Sequence, residues 1–138
     1  VLRYRTHDLT RVVTEKCSCG RTHARMQKVR ARCDDMLIIR GTNVFPSQVE
    51  DVLAGIEGVT PHYLIVVDNE TGLDRMTVNV ELKPEAFSDS FEVMDNFRQM
   101  VAEKLKGTLL VGVKVKLVEP GGIERSTGKT KHVKDLRK

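Results

Sequence analysis

The chain has 138 residues, of which 40% are hydrophobic and 4% are aromatic, and its net charge is +4 at pH 7. This length and hydrophobic content suffice for the core of one ordinary domain without disulfide bonds. The positive charge favours partners that carry phosphate groups, but it does not separate a nucleic acid from a nucleotide or coenzyme A. No apolar run approaches the roughly 20 residues of a membrane-spanning helix, so we expect no membrane partner.

The first residue and the cysteines bear on the origin of the chain. Val1 is not an initiating methionine and opens an extended segment already under way, so we interpret the chain as a fragment of a longer protein. Cys17, Cys19 and Cys33 are odd in number, and their spacings do not suggest a disulfide framework. Because free thiols persist in a reducing compartment, we expect a cytoplasmic protein.

The apolar pattern divides the chain into two parts. Residues 1–33 contain short β-like pieces at residues 9–15 and 26–30, and we predict that they are the tail of a preceding domain. Residues 34–138 have regular periodicity and are predicted to form a separate, mobile C-terminal domain.

The C-terminal part begins with an apolar run at residues 36–39, which predicts a buried strand. Residues 40–46 are predicted to be a loop. Ser47 and Glu50 have the spacing of a capping box, so a helix is predicted to begin there.

The remaining elements predict the fold class. Alternating apolar runs at residues 63–67 and 76–82 predict a hairpin, residues 90–106 predict a helix that ends at Gly107, and residues 111–117 predict a last strand. The order is β-α-β-β-α-β, which is typical of a split-βαβ arrangement. We therefore predict an α+β fold, with a small mixed sheet and both helices on one face.

Two segments are hard to explain as scaffold. The sequence Gly-Gly-Ile-Glu-Arg-Ser-Thr-Gly-Lys-Thr-Lys at residues 121–131 combines glycines with cations, and its lysine could offset charge on transferring phosphoryl oxygens. An ordinary basic tail is the alternative. Asp34 and Asp35 lie between the two parts of the chain and suit a hinge, with a simple turn as the alternative.

Together with Tyr-Arg-Thr-His-Asp at residues 4–8, these segments resemble, in order and at fitting separations, the C-terminal motifs of the adenylate-forming superfamily. That superfamily includes acyl-CoA synthetases, peptide-synthetase adenylation domains and luciferases. The sequences Ile-Ile-Arg-Gly-Thr-Asn-Val-Phe-Pro-Ser-Gln at residues 38–48 and Val-Glu-Pro-Gly-Gly-Ile-Glu-Arg-Ser-Thr-Gly-Lys at residues 118–129 are close to those of the phenylacetate-CoA ligase branch. The resemblance spans essentially the whole chain.

The resemblance implies a role for each matching residue. Asp8 would accept hydrogen bonds from the ribose hydroxyls of ATP, and Arg32 would contact the nucleotide near its ribose and phosphate. Asp34 would be the hinge. Lys129 would be the catalytic residue that bridges the acid's carboxylate and the α-phosphate of ATP. Gly41 would lie beside the pantetheine tunnel of coenzyme A, where a side chain would obstruct the thiol.

Two positions depart from the superfamily pattern. His7 stands where a glycine is often found, and Ala31 replaces the glycine that usually precedes the arginine at position 32. Both changes put the local backbone path in question.

The implied reaction has two steps. A carboxylic acid attacks the α-phosphate of Mg²⁺-bound ATP, and the coenzyme A thiol then displaces AMP, with a rotation about Asp34 between the steps. Phenylacetate is the acid implied by the branch, and the acid pocket would lie in the N-terminal domain. We therefore expect the 138 residues alone to be inactive.

Cys17 and Cys19, with His23 nearby, form a set of zinc-type ligands. If zinc binds, we expect this half-site to be completed by the N-terminal domain; an exposed turn is the alternative.

Two other functions compete with this interpretation. One is a nucleic-acid or regulatory module of split-βαβ type, but RNA readers of this fold stack bases on aromatic residues in the central strands, and only Tyr63 begins such a strand here. We therefore expect no nucleic-acid partner. The other is a different member of the superfamily that activates another acid or loads a carrier-protein thiol.

Overall fold

The structure is a computed structural model and describes residues 5–33, 35–69, 72–125 and 132–137. The chain forms two compact units that divide between Met36 and Leu37. The sequence placed this boundary three residues earlier, after Cys33. The assignment of the first unit to a preceding domain stays a prediction.

The described residues of the first unit form four two-residue strands: β1 (Asp8–Leu9), β2 (Val12–Val13), β3 (Arg25–Met26) and β4 (Ala31–Arg32). β1 pairs with β4 and β2 pairs with β3, both antiparallel. This confirms the predicted short β-rich segment. None of the described residues of this unit is buried, so its backbone pairing has no hydrophobic core beneath it.

The second unit opens with an antiparallel hairpin of β5 (Leu37–Ile39) and β6 (Thr42–Val44). Arg40 and Gly41 form its turn, with φ of 49° and 78°, the left-handed values of a two-residue type I′ turn. The prediction of a loop over residues 40–46 was wrong, because this turn reverses the chain within two residues and allows β6 to pair with β5.

The first helix, α1, spans Pro46–Ala54. Pro46 fits the first helical position, where no backbone donor is needed, so Phe45 becomes the N-cap. The Gln48 side-chain oxygen accepts a hydrogen bond from the Phe45 backbone N–H at 3.0 Å, which is one half of a capping box. Phe45 has no side-chain acceptor for the other half. The predicted capping pair, Ser47 and Glu50, is therefore wrong.

The main sheet has four strands in the order β10-β7-β8-β9. Its strands are β7 (Val59–Asp68), β8 (Arg75–Leu82), β9 (Val113–Val118) and β10 (Val133–Asp135). β7 and β8 form the predicted antiparallel hairpin, whereas β9 is parallel to β8 and β10 is parallel to β7. A single-turn 3-10 helix, Pro84–Ala86, follows β8.

The α+β class is confirmed, but the split-βαβ connectivity is not observed. The strand predicted to open that arrangement is β5, which pairs with β6 outside the main sheet. β10, a strand that the sequence did not predict, pairs with β7 at the edge of the main sheet.

The second helix, α2, spans Phe91–Leu109 and begins after Ser90. It continues through Gly107, the predicted end, and stops where Leu110 adopts a left-handed φ of 57°. Nothing lies within 4 Å of a Cβ built on Gly107, so this glycine makes no close contact inside the helix. Among the described residues, no helix is long and apolar enough to cross a membrane.

One face of the main sheet carries the core. Tyr63, Ile65 and Val67 of β7 lie opposite Val80, Val78 and Met76 of β8, and all six are at most 2% exposed. Residues of both helices belong to the same cluster, including Val49, Leu53, Val101, Leu105 and Leu109. Both helices therefore cover this face, as predicted from the order of the elements.

Candidate functional site

Two predicted nucleotide-binding residues lie side by side in the first unit. Asp8 in β1 is directly opposite Arg32 in β4, and Arg32 Nη1 is 3.7 Å from Asp8 Oδ1. Their side chains are 31% and 45% exposed. The antiparallel pairing thus joins, across a wide sequence separation, an oxygen acceptor and a cation that face solvent.

A second carboxylate shares this cation. Arg32 Nε is 3.8 Å from Asp35 Oδ2. Exposed ion pairs of this kind contribute only about 0–1 kcal/mol. A ribose hydroxyl or a phosphate can therefore replace one partner of Arg32 at little cost in stability.

His7 adopts the backbone conformation that glycine would adopt. Its φ is 63°, in the left-handed region that most residues with a side chain avoid. The Cys33 N–H donates to the His7 carbonyl oxygen at 2.7 Å, and Cys33 Sγ lies 3.5 Å from His7 Nδ1. The departure from the superfamily's glycine therefore changes the side chain while the glycine-type backbone path is kept.

Gly41 occupies the hairpin turn between β5 and β6. Its φ of 78° suits glycine, and a Cβ built there would meet nothing within 4 Å. Within the described residues, the space beside Gly41 is open. An incoming ligand could therefore approach the backbone closely at this turn.

The glycine-rich loop after β9 begins with a tight turn. Gly121 has a φ of 81°, and the Gly122 N–H donates to the Glu119 carbonyl oxygen at 3.0 Å. With Pro120 at the second position, this is the pattern of a type II turn. A Cβ on Gly122 would collide with Val118. Glycine is thus required for both the turn and the close approach.

The turn returns the chain to a buried carboxylate in β8. Glu81 is 1% exposed, and its Oε1 accepts a hydrogen bond from Arg125 Nη2 at 2.8 Å. Its Oε2 accepts one from the Ile123 N–H at 3.4 Å. Burial acts to raise the pKa of Glu81, but the hydrogen bonds from Arg125, Gly121 and Ile123 outweigh it and hold that pKa below its usual range.

The sequence analysis missed Glu81 and Arg125. The alternation along β8 puts Glu81 on the polar face, where an exposed carboxylate is the ordinary expectation. The signal that the sequence offered was Arg125, three residues before Gly128. A cation in this loop could form a hydrogen bond with a buried acid of the sheet, such as Glu81.

The far end of the glycine-rich loop also returns to the sheet. The Ile65 N–H donates to the His132 carbonyl oxygen at 2.7 Å. The His132 ring stacks on Tyr63, with centroids 4.3 Å apart and planes 12° apart, and its Nδ1 lies 3.3 Å from the Tyr63 carbonyl oxygen. These contacts lead directly into β10.

Two predicted site residues, the hinge Asp34 and the catalytic Lys129, lie outside the described residues. Their assignments stay predictions.

The predicted metal half-site lies in a turn of the first unit, where the Gly20 N–H donates to the Cys17 carbonyl oxygen at 2.9 Å. The pKa of the Cys17 thiol is lowered chiefly because the Cys19 backbone N–H, and then the Cys19 thiol, hydrogen-bond to it. A thiolate is the form that binds metal. The part of the chain that the structure describes contains no group of three or more His, Cys, Asp or Glu side chains that could hold an ion. The half-site therefore stays a prediction.

Comparison with known proteins connects these features to a family. The profile of the family described as AMP-binding enzyme C-terminal domain matches residues 41–137. The chain is 46% identical over 151 residues to a phenylacetate-coenzyme A ligase of Thermus thermophilus. That alignment covers 100% of this chain and 34% of the relative, so the chain spans about a third of the length of the curated relatives it matches.

The chain is also similar to solved structures of CoA ligases. A domain of phenylacetate-coenzyme A ligase from Bacteroides vulgatus is 37% identical, with a TM-score of 0.69 over 76% of this chain and 95% of that chain. A 2-hydroxyisobutyryl-CoA ligase in the postadenylation state, in complex with R3-HIB-AMP, is 30% identical, with a TM-score of 0.81 over 94% of this chain and 28% of that chain. The same ligase has been solved with 2-HIB-AMP and CoA in the thioesterification state, with a TM-score of 0.70 at 30% identity over 96% and 28% of the two chains.

Proposed function

Because the chain belongs to the family of AMP-binding enzyme C-terminal domains, we propose that it serves as the C-terminal domain of an ATP-dependent phenylacetate-CoA ligase. The observation that carries this proposal is its 46% identity, over its whole length, to a phenylacetate-coenzyme A ligase. The adjacent Asp8 and Arg32 support it, because they offer an acceptor and a cation at one exposed position.

In the first half-reaction, a carboxylate oxygen of the acid attacks the α-phosphorus of ATP and pyrophosphate leaves. Asp8 accepts hydrogen bonds from the ribose hydroxyls, and Arg32 contacts the nucleotide near its ribose and phosphate. Lys129 lowers the repulsion between the carboxylate and the α-phosphate as they meet. Mg²⁺ accompanies the ATP phosphates, which is the usual arrangement for this ion.

In the second half-reaction, the coenzyme A sulfur attacks the acyl carbon, the bond from that carbon to AMP breaks, and the thiol proton passes to solvent. The domain rotates about Asp34 between the two steps. The rotation withdraws Lys129 and presents the hairpin turn at Gly41, whose open space lets the pantetheine approach.

The rest of the enzyme supplies what this chain lacks. Its N-terminal domain holds the acid pocket and most of the ATP site, and any zinc bound by Cys17 and Cys19 is completed there. The acid is phenylacetate, and the enzyme works in the cytoplasm. We expect the isolated 138 residues to make no acyl-CoA.

A second candidate is a ligase for a hydroxy acid or another acid. It is supported by the 30% identity and TM-score of 0.81 to a 2-hydroxyisobutyryl-CoA ligase. The two candidates share the chemistry assigned to this domain and differ in the acid alone.

The test of the proposal is pyrophosphate release by the full-length enzyme with ATP, measured over a panel of aryl, fatty and hydroxy acids with and without coenzyme A. We expect phenylacetate to give the fastest release and a CoA thioester to accumulate. Faster release with 2-hydroxyisobutyrate would favour the second candidate. If no acid triggers release, the proposal is wrong.

The catalytic assignment has its own test. Replacing Lys129 by alanine in the full-length enzyme should lower adenylation by on the order of a hundredfold or more, since one preorganised charge donor is lost. Thioester formation from supplied acyl-adenylate should be spared. Lys131→Ala removes a cation two positions away and is the matched control. An equal loss of both half-reactions would contradict the rotation.

A further inference from the structure

The hairpin of β5 and β6 carries the Gly41 turn but lies outside the main sheet. Its strands have three residues each, and an isolated two-stranded hairpin is at best marginally stable in water. Leu37, Ile39 and Val44 are buried and anchor one face of the hairpin in the core. Ile38 is 51% exposed, so the core does not hold the opposite face.

The Ile38 carbonyl oxygen lies on the outer edge of β5. In a hairpin with a two-residue turn, Ile39 and Thr42 form the hydrogen-bonded pair beside the turn, and hydrogen-bonded and non-hydrogen-bonded pairs alternate along the strands. Ile38 and Asn43 are therefore a non-hydrogen-bonded pair, whose backbone groups point away from the partner strand. Arg137 Nη1 donates to the Ile38 carbonyl oxygen at 2.6 Å. Arg137 thus supplies the donor that β6 cannot.

Arg137 also connects β5 to two other segments of the second unit. Its Nη1 lies 3.2 Å from Oδ2 of Asp74, the residue before β8. Its Nη2 donates to Asp135 Oδ2 at 2.7 Å, and its Nε donates to Asp135 Oδ1 at 3.0 Å. This forked pair fixes the plane of the guanidinium at the end of β10. The Arg137 side chain is only 24% exposed, so its position is well defined by these partners.

The turn itself has a contact with the same aspartate. Arg40 precedes Gly41 and has a left-handed φ of 49°, and its Nε donates to the Asp74 backbone carbonyl oxygen at 2.8 Å. Asp74 therefore binds Arg137 through its carboxylate and Arg40 through its backbone. The Gly41 turn is thus tied to the start of β8 directly by Arg40, and through β5 by Arg137.

We propose that Arg137 and Asp74 are positioning residues for thioester formation, which hold the Gly41 turn where the pantetheine of coenzyme A approaches. This inference rests on the proposed function, because it assumes that Gly41 lies beside the pantetheine. Both residues act through the hairpin and not on the reacting atoms. Loss of their contacts lets the turn shift relative to the main sheet and obstruct the thiol, whereas adenylation does not use this turn.

The test uses the full-length enzyme with the variants Arg137→Ala, Arg137→Lys, Asp74→Asn and the double variant Arg137→Ala with Asp74→Asn. Asp74→Asn keeps the shape of the side chain and the carbonyl that binds Arg40, so it decides the test if Arg137→Ala fails to fold. Lys134→Ala removes an exposed cation of β10 and is the matched control. Each variant is assayed for thioester formation from supplied acyl-adenylate and coenzyme A, for ATP–pyrophosphate exchange, and for its thermal midpoint.

We expect Arg137→Ala to lower kcat/KM for coenzyme A by on the order of tenfold, because a misplacement of about 1 Å can cost up to about a hundredfold. Pyrophosphate exchange should stay within about twofold of the parent rate. Asp74→Asn should cause a smaller loss of about threefold, since Arg137 keeps its other partners, and the double variant should be no slower than Arg137→Ala. Arg137→Lys should recover part of the rate, because it keeps the charge but not the planar fork.

Hydrogen exchange separates positioning from a general loss of stability. In Arg137→Ala, we expect the amides of residues 37–44 to exchange on the order of tenfold faster, while those of β7 and β8 keep the parent rate. Faster exchange in all four strands, with a lower thermal midpoint and equal losses in both half-reactions, would show that the pair is structural and that the positioning role is wrong.

A substitution at Gly41 separates this inference from the function on which it rests. Gly41→Asn keeps the left-handed φ, which asparagine tolerates, and adds a side chain at the turn. If it blocks thioester formation while Arg137→Ala and Asp74→Asn leave that step unchanged, the positioning role is wrong and the proposed function stands. If Gly41→Asn leaves thioester formation unchanged, the role of Gly41 and this inference fail together, and pyrophosphate release over the acid panel alone decides the ligase activity.

Discussion

The two units of this chain are held together differently. Among the described residues of the second unit, nineteen hydrophobic residues are buried in one cluster between a sheet face and two helices. In the first unit, none of the described residues is buried, and large apolar side chains such as Val12 and Met26 are 62% and 68% exposed. The comparison shows that β-pairing alone can bring two distant residues, Asp8 and Arg32, side by side without forming a core.

The same contrast holds for the ion pairs. Asp8 and Arg32 in the first unit are both partly exposed, whereas Glu81 in the second unit is buried and Arg125 covers it. The exposed pair suits ligand exchange, because little stability is lost when its partners separate. The buried pair resists separation, because separation leaves a charge without water or a partner.

A matched pair of valine substitutions should give the largest difference in stability between the two units. Val101 in α2 is 0% exposed and Val12 in β2 is 62% exposed. We expect Val101→Ala to lower the free energy of unfolding by about 2 kcal/mol, since buried methyl groups and close packing are lost. Val12→Ala should change it by less than about 0.5 kcal/mol. Urea unfolding followed by circular dichroism measures both, and equal losses would mean that the first unit has a core of its own.

Removal of the Asp8 carboxylate should affect the nucleotide more than the fold. We expect Asp8→Ala in the full-length enzyme to raise the KM for ATP in adenylation by on the order of tenfold, because a charge-assisted acceptor for the ribose is lost. The free energy of unfolding should change by less than about 1 kcal/mol. Asp35→Ala, which removes the other carboxylate near Arg32, is the control. An equal rise in both variants would show that Asp8 has no specific role.

A pair of glycine substitutions should have opposite signs. Gly41 has a φ of 78° and Gly107 lies inside α2, and a Cβ on either would meet nothing within 4 Å. Because space is not limiting, backbone conformation decides the outcome. Gly41→Ala should destabilise the chain by about 1 kcal/mol, and Gly107→Ala should stabilise it by about 0.5 kcal/mol. Thermal unfolding gives the sign, and stabilisation by Gly41→Ala would contradict the type I′ turn.

The stability of the second unit at low pH should depend on the buried carboxylate of Glu81. Burial acts to raise the pKa of Glu81, but the hydrogen bonds from Arg125, Gly121 and Ile123 together outweigh it, so this pKa is lower in the folded chain than its ordinary value. The ionised group therefore stabilises the fold above its unfolded pKa of about 4.3, and this contribution is lost as pH falls through the lower folded value. Glu81→Gln lacks that loss, so its stability should decline less steeply on acidification. Glu124→Gln, an exposed neighbour, should follow the parent chain, and parallel curves for all three would exclude the effect.

The candidate site was predictable where it depended on motifs in order along the chain. Asp8, Arg32 and Gly41 were identified from local sequence, and the structure adds that Asp8 and Arg32 are cross-strand neighbours and that Gly41 occupies a left-handed turn. The role of Glu81 could not be predicted, because nothing in its own segment shows that a loop from 121 to 125 returns to cover it.

The fold also has features that the local sequence predicts and features that depend on contacts between distant residues. The sequence by itself determined the β7–β8 hairpin and the two helices, because periodicity and turn residues act over a few neighbouring positions. Only the tertiary structure decided that β5 pairs with β6, that β10 joins β7 and that α2 continues past Gly107. Strand partners are chosen by contacts between distant residues. Likewise, a weak local stop such as a helical glycine costs only about 1 kcal/mol, which the burial of Leu109 in the core can offset.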